Sequence, residues 1–322
     1  MDVSIIIVNF RTPQLVIECI ESVYEKTEGI SFEIIVVENG SGDNSSEIIR
    51  KQLGTRVKLI VSSENLGFGR ANNLGAKYAQ GEYLFLLNSD TILVNNAIKI
   101  LFEFAKATSK VGVVGGNLLT SNMKASPSYC LEFDNINKVK KNAKWLVILF
   151  NRIKISIKGK IGRNVANTLG QVYNFGNEAI KVAYIFGADM MLPRKIFSDM
   201  GGFDSDFFMY GEEQDLSWRI KEAGYQIWNV PEAKIIHMDG ASMKKEASFN
   251  TKQYKMRMNG KMVYFYKRHG KNGSKRFYEY KMLEFNRTML VAKVLKRRQL
   301  YELTEKQKIC LEETYRAFLN KI

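Results

Sequence analysis

Short, largely apolar runs recur through the first third of the chain. They cover residues 3–8, 33–37, 57–61, 83–87 and 111–114. Runs of this length are too short for globular helices and are typical of buried strands. Apolar positions at helical spacing between them predict helices from Pro13, over Ser45–Leu53, through Ala71–Tyr78 and over Asn95–Ala107. This alternation predicts an α/β fold, an open and mostly parallel sheet with helices on both faces.

A polar segment follows the C-terminal end of four of the predicted strands. The carboxyl ends of parallel strands meet at one edge of a sheet, and ligands bind there at the topological switch point. The first turn, residues 9–13, contains no glycine, which excludes the G-x-G-x-x-G manner of binding a pyrophosphate. The sequence therefore favours a nucleotide site of another kind. Its candidate residues are Asn9, Phe10, Arg11, Glu38, Asn39, Gly67, Arg70, Asn88, Ser89 and Asp90.

Three acids open a predicted helix later in the chain, after an aromatic segment at residues 207–210. They are Glu212, Glu213 and Asp215. Acids in the first turn of a helix are stabilised by its dipole, by ~0.3–1 kcal/mol each, which is a purely structural explanation. Desolvation and packed like charges would instead raise a carboxylate pKa toward that of a useful general base. The aromatic neighbours favour this functional interpretation.

Two further polar residues interrupt or end apolar segments. Asp189 lies within the apolar run 183–192, and His237 follows two predicted short strands, Ile227–Val230 and Lys234–Ile236. The chain has only two histidines. A lone histidine is more often structural than a metal ligand, so the residues alone leave both roles open for His237.

The net charge of +15 is distributed unevenly. Residues 244–322 contain 21 Lys/Arg and 7 Asp/Glu, and residues 135–177 contain 9 Lys/Arg and no acid, which leaves −8 for the remainder. Two basic segments on a mildly acidic body predict an anionic partner, either a lipid surface, a nucleic acid or a phosphorylated substrate. A solvated basic face is the simpler alternative.

No apolar run reaches the ~18 residues of a membrane-spanning helix. The chain begins directly with the strand at residues 3–8 and without a basic leader, so we expect a cytosolic protein. The short apolar run at residues 145–150 either packs in the core or lies at a membrane surface. The C-terminal region is predicted to be helical, with a turn at residues 271–274 and a capping box at residues 304–307 opening the last helix.

The chain resembles glycosyltransferase family 2, and within it the rhamnosyltransferase-like enzymes of bacterial cell-surface polysaccharide assembly. The resemblance implies a GT-A fold, a nucleotide-diphospho-sugar donor, a divalent metal and transfer with inversion at the anomeric carbon. Six segments carry it, namely Ser4–Asn9, Val36–Asp43, Asn65–Gly75, Leu86–Asp90, Gly187–Arg194 and Gly201–Ala241.

The resemblance also implies roles for individual residues. Glu38 would lie against the nucleoside, with Asn9, Phe10 and Arg11 at the base and ribose edge and Arg70 in the loop along the nucleotide. Asn88-Ser89-Asp90 occupies the D-x-D position, with Asn88 replacing the first aspartate. Asp90 and His237 would bind Mn²⁺ or Mg²⁺, and the imidazole favours Mn²⁺. Glu213 would be the catalytic base, Asp215 would orient the site or acceptor, and Asp189 would lie near the sugar or acceptor.

These expectations divide the chain into a glycosyltransferase domain at residues 1–243 and a basic helical region at 244–322. Within the domain, residues 1–120 would bind the nucleotide and residues 121–243 the acceptor. The predicted acceptor is a glycan or a lipid-linked sugar at the inner face of the cell membrane, where the basic segments would hold the protein peripherally. The oligomeric state is left open.

Two other functions remain as alternatives. A sugar-phosphate nucleotidyltransferase would need a glycine-rich and basic phosphate loop near the N-terminus, and none is present. A nucleic-acid-binding protein could use the Lys, Arg, Tyr and Phe residues interleaved over 252–280. No recognisable nucleic-acid motif accompanies them, so no nucleic-acid partner is expected.

Overall fold

The computed structural model describes residues 1–144, 171–238 and 249–322. The predicted segment at residues 145–150, the basic residues up to 170 and the end of the last family-like segment after Met238 lie outside these ranges. The described chain forms two compact units. Among the described residues, one comprises 1–133, 171–208 and 212–238, and the other comprises 134–144, 209–211 and 249–322.

The first unit is built around a large sheet. Its strands are β1 (Val3–Asn9), β2 (Phe32–Asn39), β3 (Lys58–Ser62), β4 (Tyr83–Asn88), β5 (Thr91–Leu93), β6 (Val111–Leu119), β9 (Ile180–Lys181), β11 (Asp189–Pro193) and β12 (Gln226–His237), and a small sheet contains β7 (Tyr129–Cys130), β8 (Gln171–Val172) and β10 (Tyr184–Ile185). The large sheet has the order β3-β2-β1-β4-β11-β6-β12-β5. Strands β1 to β4 are mutually parallel, whereas β11 runs antiparallel to β4. The α/β prediction is confirmed.

Helices cover both faces of the large sheet. They are α1 (Pro13–Lys26), α2 (Ser45–Leu53), α3 (Phe68–Ala76), α4 (Ala97–Ala107), α6 (Arg194–Asp199) and α7 (Glu212–Glu222). Side chains alternate along β1, so Ile5 and Ile7 pack with α1 and α4 while Ile6 packs with α3 and α7. Burial on both faces explains why β1 is a continuous apolar run.

The other unit is helical. It contains α5 (Ile136–Asn142), α8 (Thr251–Val294) and α9 (Arg298–Leu319). The helical C-terminal region is therefore confirmed. None of the helices within the described ranges is long and apolar enough to cross a membrane.

Three local predictions are wrong in detail. The break in α8 lies at His269 and Gly270, where glycine adopts a φ of 62°, two residues before the predicted turn. The last helix begins at Arg298, and the Thr304 hydroxyl donates to the Leu300 carbonyl inside it rather than capping it. The two short strands predicted before His237 form one strand, β12, with a register irregularity between Asn229 and Lys234.

Candidate active site

Ser41, in the turn after β2, connects the ends of β1 and β2. Its backbone N–H donates to Glu38 Oε1 at 2.8 Å, which fixes a buried carboxylate. Its hydroxyl accepts from the backbone N–H of Arg11 at 2.9 Å and from Asn9 Nδ2 at 3.4 Å. Arg11 Nε donates to the Ser41 carbonyl at 2.9 Å. Sequence reasoning did not single out Ser41, although its place between Gly40 and Gly42 in a strand-end turn is a signal for such a role.

The predicted base edge has an exposed aromatic ring. Phe10 is exposed to solvent, and the Arg11 guanidinium carbon lies 5.2 Å from its ring centroid. Asn9 is buried, and its Oδ1 accepts from the backbone N–H of Thr12 at 3.2 Å, at the start of α1. Asn9 therefore stabilises the turn, while Phe10 and Glu38 offer a flat surface and an acceptor suited to a planar base.

Asn39 connects the end of β2 to the loop before α3. Its Nδ2 donates to Asn65 Oδ1 at 3.1 Å and to the Gly67 carbonyl at 3.3 Å, and its Oδ1 accepts from the Leu66 N–H at 2.9 Å. Arg70 Nε donates to the Leu66 carbonyl at 2.7 Å. These bonds hold the glycine-containing loop beside the parallel strand ends, as the sequence predicts.

Gly67 is required by its backbone conformation and its surroundings. Its φ is 79° and its ψ is −179°, a region essentially restricted to glycine. A Cβ at this position would overlap the Phe208 carbonyl oxygen, which also accepts a hydrogen bond from the Phe68 N–H at 3.1 Å.

Asp90 and His237 meet at the end of β4, although 147 positions of sequence separate them. Strand β5 follows Asp90 directly and pairs with the end of β12, with Thr91 opposite His237. The Met238 N–H donates to the Asp90 carbonyl at 2.9 Å. As a result, Asp90 Oδ1 lies 3.3 Å from His237 Nε2, and Asn88 Nδ2 lies 3.4 Å from the same nitrogen. Ser89 is buried between them in the turn.

The buried Cys19 side chain of α1 packs against the turn at residues 88–91. Its thiol lies 3.6 Å from the Asn88 carbonyl oxygen and 3.4 Å from Thr91 Oγ1. Burial raises the pKa of Cys19 to about 12, and the nearby Asp90 carboxylate contributes in the same direction. The thiol is therefore neutral and acts as a packing group. In the sequence, Cys19 is one of the apolar positions of α1, and nothing there indicated that it would lie next to this turn.

Asp189 lies beside the same strand end. It is the first residue of β11, and the preceding Ala188 carbonyl accepts from the Asn88 N–H at 3.0 Å. Its side chain is buried, with Oδ2 accepting from the Gly116 N–H at 2.6 Å, while Oδ1 has no hydrogen-bond partner among the described residues. Burial raises the pKa of Asp189 well above its usual range. Burial thus favours the protonated form of this carboxyl group.

The adjacent acids at the start of α7 have different surroundings. Glu212 is fully buried next to Gly69 of α3, and its Oε2 has no hydrogen-bond partner within the described ranges. Burial, together with the charge of Glu213, raises the pKa of Glu212 well above its usual range. Glu213 is only partly buried, and a Cβ built on Gly187 would lie 4.0 Å from its Cβ. Gly187 directly precedes Ala188, whose carbonyl accepts a hydrogen bond from the Asn88 N–H.

Asp215, the third acid at the start of α7, forms an ion pair within its own helix. Its Oδ2 accepts from Arg219 Nε at 2.8 Å, and the other guanidinium nitrogens donate to the carbonyls of Met200 at 2.6 Å and Gly202 at 2.9 Å. The ion pair connects α7 to the turn after α6. Arg219 was not predicted, although its position four residues after an acid is the usual spacing of a helical ion pair.

Asp90 and His237 are two candidate metal ligands. Within residues 1–144, 171–238 and 249–322, no group of three or more His, Cys, Asp and Glu side chains could hold a metal ion. A site with two protein ligands still suits Mg²⁺ or Mn²⁺, because these ions commonly complete an octahedral shell with water and substrate phosphates. The Asp90 oxygen and the His237 nitrogen lie 3.3 Å apart, a separation that two ligands of one such ion can have, so the donor set fits.

A separate cavity of about 580 Å³ lies at the other end of β12, beside Trp228, Phe104 and Glu232. Trp228 is near the start of β12, whereas His237 is its last residue. The cavity therefore does not belong to the site at the end of β4.

Two solved structures resemble this chain over most of its length. The mannosyltransferase PcManGT from Pyrobaculum calidifontis, in complex with GDP-Man and Mn²⁺, has a TM-score of 0.57 at 15% identity and covers 98% of this chain and 86% of its own. GalNAc-T7 with UDP, GalNAc and Mn²⁺ has a TM-score of 0.51 at 15% identity and covers 74% of this chain and 44% of its own. The likeness confirms the predicted GT-A fold.

Curated relatives include two bacterial proteins. Glycosyltransferase GlyG of Streptococcus pneumoniae serotype 4 is 30% identical over 115 residues, which are 35% of this chain and 38% of that protein. Poly-beta-1,6-N-acetyl-D-glucosamine synthase of Staphylococcus aureus strain COL is 29% identical over 210 residues, which are 65% of this chain and 42% of that protein. The chain thus spans about two fifths of the length of these relatives.

The family model described as Glycosyl transferase family 2 matches residues 4–199. This range includes β1 to β4, the turn at Asp90 and the strand of Asp189. The match favours a glycosyltransferase over the nucleotidyltransferase and the nucleic-acid-binding protein that the sequence left open. The chain therefore belongs to glycosyl transferase family 2.

Proposed function

We propose that this enzyme transfers a sugar, with inversion, from a nucleotide-diphospho-sugar to a glycan or lipid-linked acceptor in bacterial cell-envelope synthesis. Rhamnose is one candidate sugar. The observation that carries the proposal is the approach of Asp90 Oδ1 to His237 Nε2, which lie 3.3 Å apart at the end of β4. Support for a nucleotide-sugar donor comes from the solved structures with similar folds, which hold UDP or GDP-Man together with Mn²⁺.

The donor would lie along the parallel strand ends. Phe10 and Glu38 would receive the base, and Arg70 would lie along the nucleotide. Asp90 and His237 would hold a divalent cation, which when bound neutralises negative charge on the leaving diphosphate. Asn88 Nδ2 lies 3.4 Å from His237 Nε2, so its amide group would lie beside the cation.

Glu213 is the proposed general base. Its carboxylate would take the proton of the acceptor hydroxyl while that oxygen forms a bond to the anomeric carbon. The bond from the anomeric carbon to the diphosphate oxygen breaks on the opposite face, and the nucleoside diphosphate leaves with the electron pair. Glu212 suits this role less well, because burial raises its pKa and so favours its protonated form. Asp189, whose pKa burial also raises, would lie near the sugar or the acceptor.

The basic segments would place the enzyme at the inner face of the cell membrane. Residues 244–322 carry a surplus of 14 positive charges, and anionic headgroups attract such segments. The Staphylococcus aureus relative is a polysaccharide synthase by name, which supports a polymeric or lipid-linked acceptor for this chain.

The proposal is tested with a panel of UDP-, GDP- and dTDP-sugars in the presence of Mn²⁺, scored for nucleoside diphosphate release. One donor class should be consumed. Glu213→Gln should lower turnover by ~10²–10⁴-fold with donor binding close to intact. Glu222→Gln, an exposed acid at the other end of α7, is the matched control and should retain turnover. Failure of every donor to bind would refute the proposal.

A further inference from the structure

The turn between α8 and α9 exposes aliphatic side chains next to cations. Leu290, Val294 and Leu295 are 50%, 72% and 43% exposed. Lys293 and Lys296 are also exposed and flank them along the chain. We refer to residues 290–298 as the hairpin tip. Three aliphatic side chains this exposed at one end of a helical hairpin indicate a surface that contacts another apolar phase.

The exposed side chains are not part of the packing between the two helices. The buried apolar residues of the two helices are others, among them Phe285, Val291 and Ala292 of α8 and Leu311 and Phe318 of α9. The rings of Tyr278 and Tyr315 also stack between the helices, with centroids 4.0 Å apart and an interplanar angle of 9°. The packing of the two helices therefore uses other side chains than the exposed aliphatic ones at the hairpin tip.

The turn itself is well defined. The Arg297 N–H donates to the Ala292 carbonyl at 2.8 Å and the Lys296 N–H donates to the Lys293 carbonyl at 3.1 Å. This is the bond pattern of a Schellman motif, whose left-handed position usually holds glycine. Here that position is Lys296, with a φ of 52°. The chain thus keeps a cation at the tip where glycine would be less strained.

The charge of the tip is one-sided. Between Glu284 and Glu302 there are five Lys/Arg and no acid. Arg298 pairs with Glu302 at 2.7 Å, so part of this charge is compensated, whereas the two lysines lie closer to the exposed aliphatic side chains in the sequence. The tip therefore combines apolar area with positive charge over nine residues.

The combination of exposed aliphatic side chains and positive charge discriminates between three kinds of binding partner. A second copy of the tip would bring like charges together, which disfavours self-association. A nucleic acid would use the cations but gains from aromatic stacking rather than from aliphatic side chains. An anionic bilayer uses both features, because headgroups attract the lysines and the acyl boundary accepts the aliphatic side chains.

We infer that the hairpin tip is the element by which this protein docks on an anionic lipid surface, with Leu290, Val294 and Leu295 entering the headgroup region. The inference refines the membrane association proposed above and does not depend on the transfer chemistry. Vesicle binding is measured without a donor sugar, so a failure of the proposed reaction would leave this result unaffected.

The experiment uses the full chain with phosphatidylcholine vesicles, with and without phosphatidylglycerol, at low and high salt. Wild type should bind the anionic vesicles and release them at high salt. Leu290→Ser/Val294→Ser/Leu295→Ser should weaken binding more than tenfold. Ile309→Ser/Leu319→Ser removes two equally exposed apolar side chains elsewhere on α9 and should stay within twofold of wild type.

Lys296→Gly is the second variant, because glycine suits the left-handed position and should preserve or raise the melting temperature. It should weaken binding to anionic vesicles about fivefold, the effect of one surface cation. Unchanged vesicle binding in both tip variants would overturn the inference. So would a tip variant that alters the oligomeric mass or RNA binding but leaves vesicle binding intact.

Discussion

The ion pair between Asp215 and Arg219 should matter for stability rather than for the chemical step. The side chains are 2% and 24% exposed and are joined by a 2.8 Å bond. Arg219 also donates to the carbonyls of Met200 and Gly202, so it fixes the turn after α6 to α7. Removing either partner disturbs this connection. Neither substitution removes the proposed base.

The magnitude follows from burial. Removing one partner of a buried ion pair costs about 3–5 kcal/mol, because the other charge stays in a poorly solvated place. Asp215→Ala should cost about 3 kcal/mol, since Arg219 keeps two carbonyl partners and some contact with water. Arg219→Ala should cost nearer 5 kcal/mol, because it leaves the buried carboxylate without its cation and releases both carbonyls. A double-mutant cycle should give a coupling of about 2 kcal/mol.

The chain contains a matched control for burial. Lys195 and Asp199 have the same spacing of four residues and the same distance of 2.8 Å, but their side chains are 82% and 45% exposed. Exposed pairs contribute about 0–1 kcal/mol, so Asp199→Ala should change the free energy of unfolding by less than 1 kcal/mol. The difference between the two pairs isolates the effect of burial.

The assay is chemical denaturation of each full-length variant, with nucleoside diphosphate release measured on the folded protein. Asp215→Ala should lower the free energy of unfolding and lower turnover only moderately, through displacement of the start of α7. If it abolishes turnover and leaves the free energy of unfolding within about 0.5 kcal/mol of wild type, Asp215 acts on the substrate and the reasoning is wrong.

Three further predictions concern single side chains. The folded state keeps the Glu212 proton that the unfolded state releases above pH 4.5, so the free energy of unfolding of the wild type falls as pH rises, by at most about 1.4 kcal/mol per pH unit. Glu212→Gln should remove this dependence on pH. Urea titrations at pH 5 to 8 that give the same slope for the variant and the wild type would contradict the prediction. Gly67→Ala should lower the melting temperature far more than Gly42→Ala, because Gly42 shares the positive φ but has open space around it. Asn88→Asp should tighten Mn²⁺ binding about tenfold, by adding a carboxylate beside His237, and calorimetry showing no change would place the ion elsewhere.

Much of the fold followed from local patterns. Polar residues after apolar runs indicated the ends of parallel strands, and that prediction brought Asp90 and Glu38 to the same edge. The approach of His237 to Asp90 could not be worked out from the residues alone, because it depends on the pairing of β5 with the end of β12. That contact is non-local, and the resemblance to a family supplied it.

The environments of the acids were harder to predict than their positions. Composition does not show that Glu212 lies next to a glycine of α3 or that Asp215 lies within reach of Arg219. The break in α8 was misplaced for a similar reason. Lys271 to Ser274 carry the turn composition, but Gly270 supplies the positive φ that the break requires.

Helical geometry explains why three neighbouring acids differ in role. Successive residues on a helix point about 100° apart, so Glu212, Glu213 and Asp215 face three directions. One direction leads into α3, where burial holds a proton on Glu212. Another leads to the turn after α6, where Asp215 meets Arg219. The remaining one leads toward Gly187, and Glu213, which is only partly buried, is therefore the acid of this group that we propose as the base.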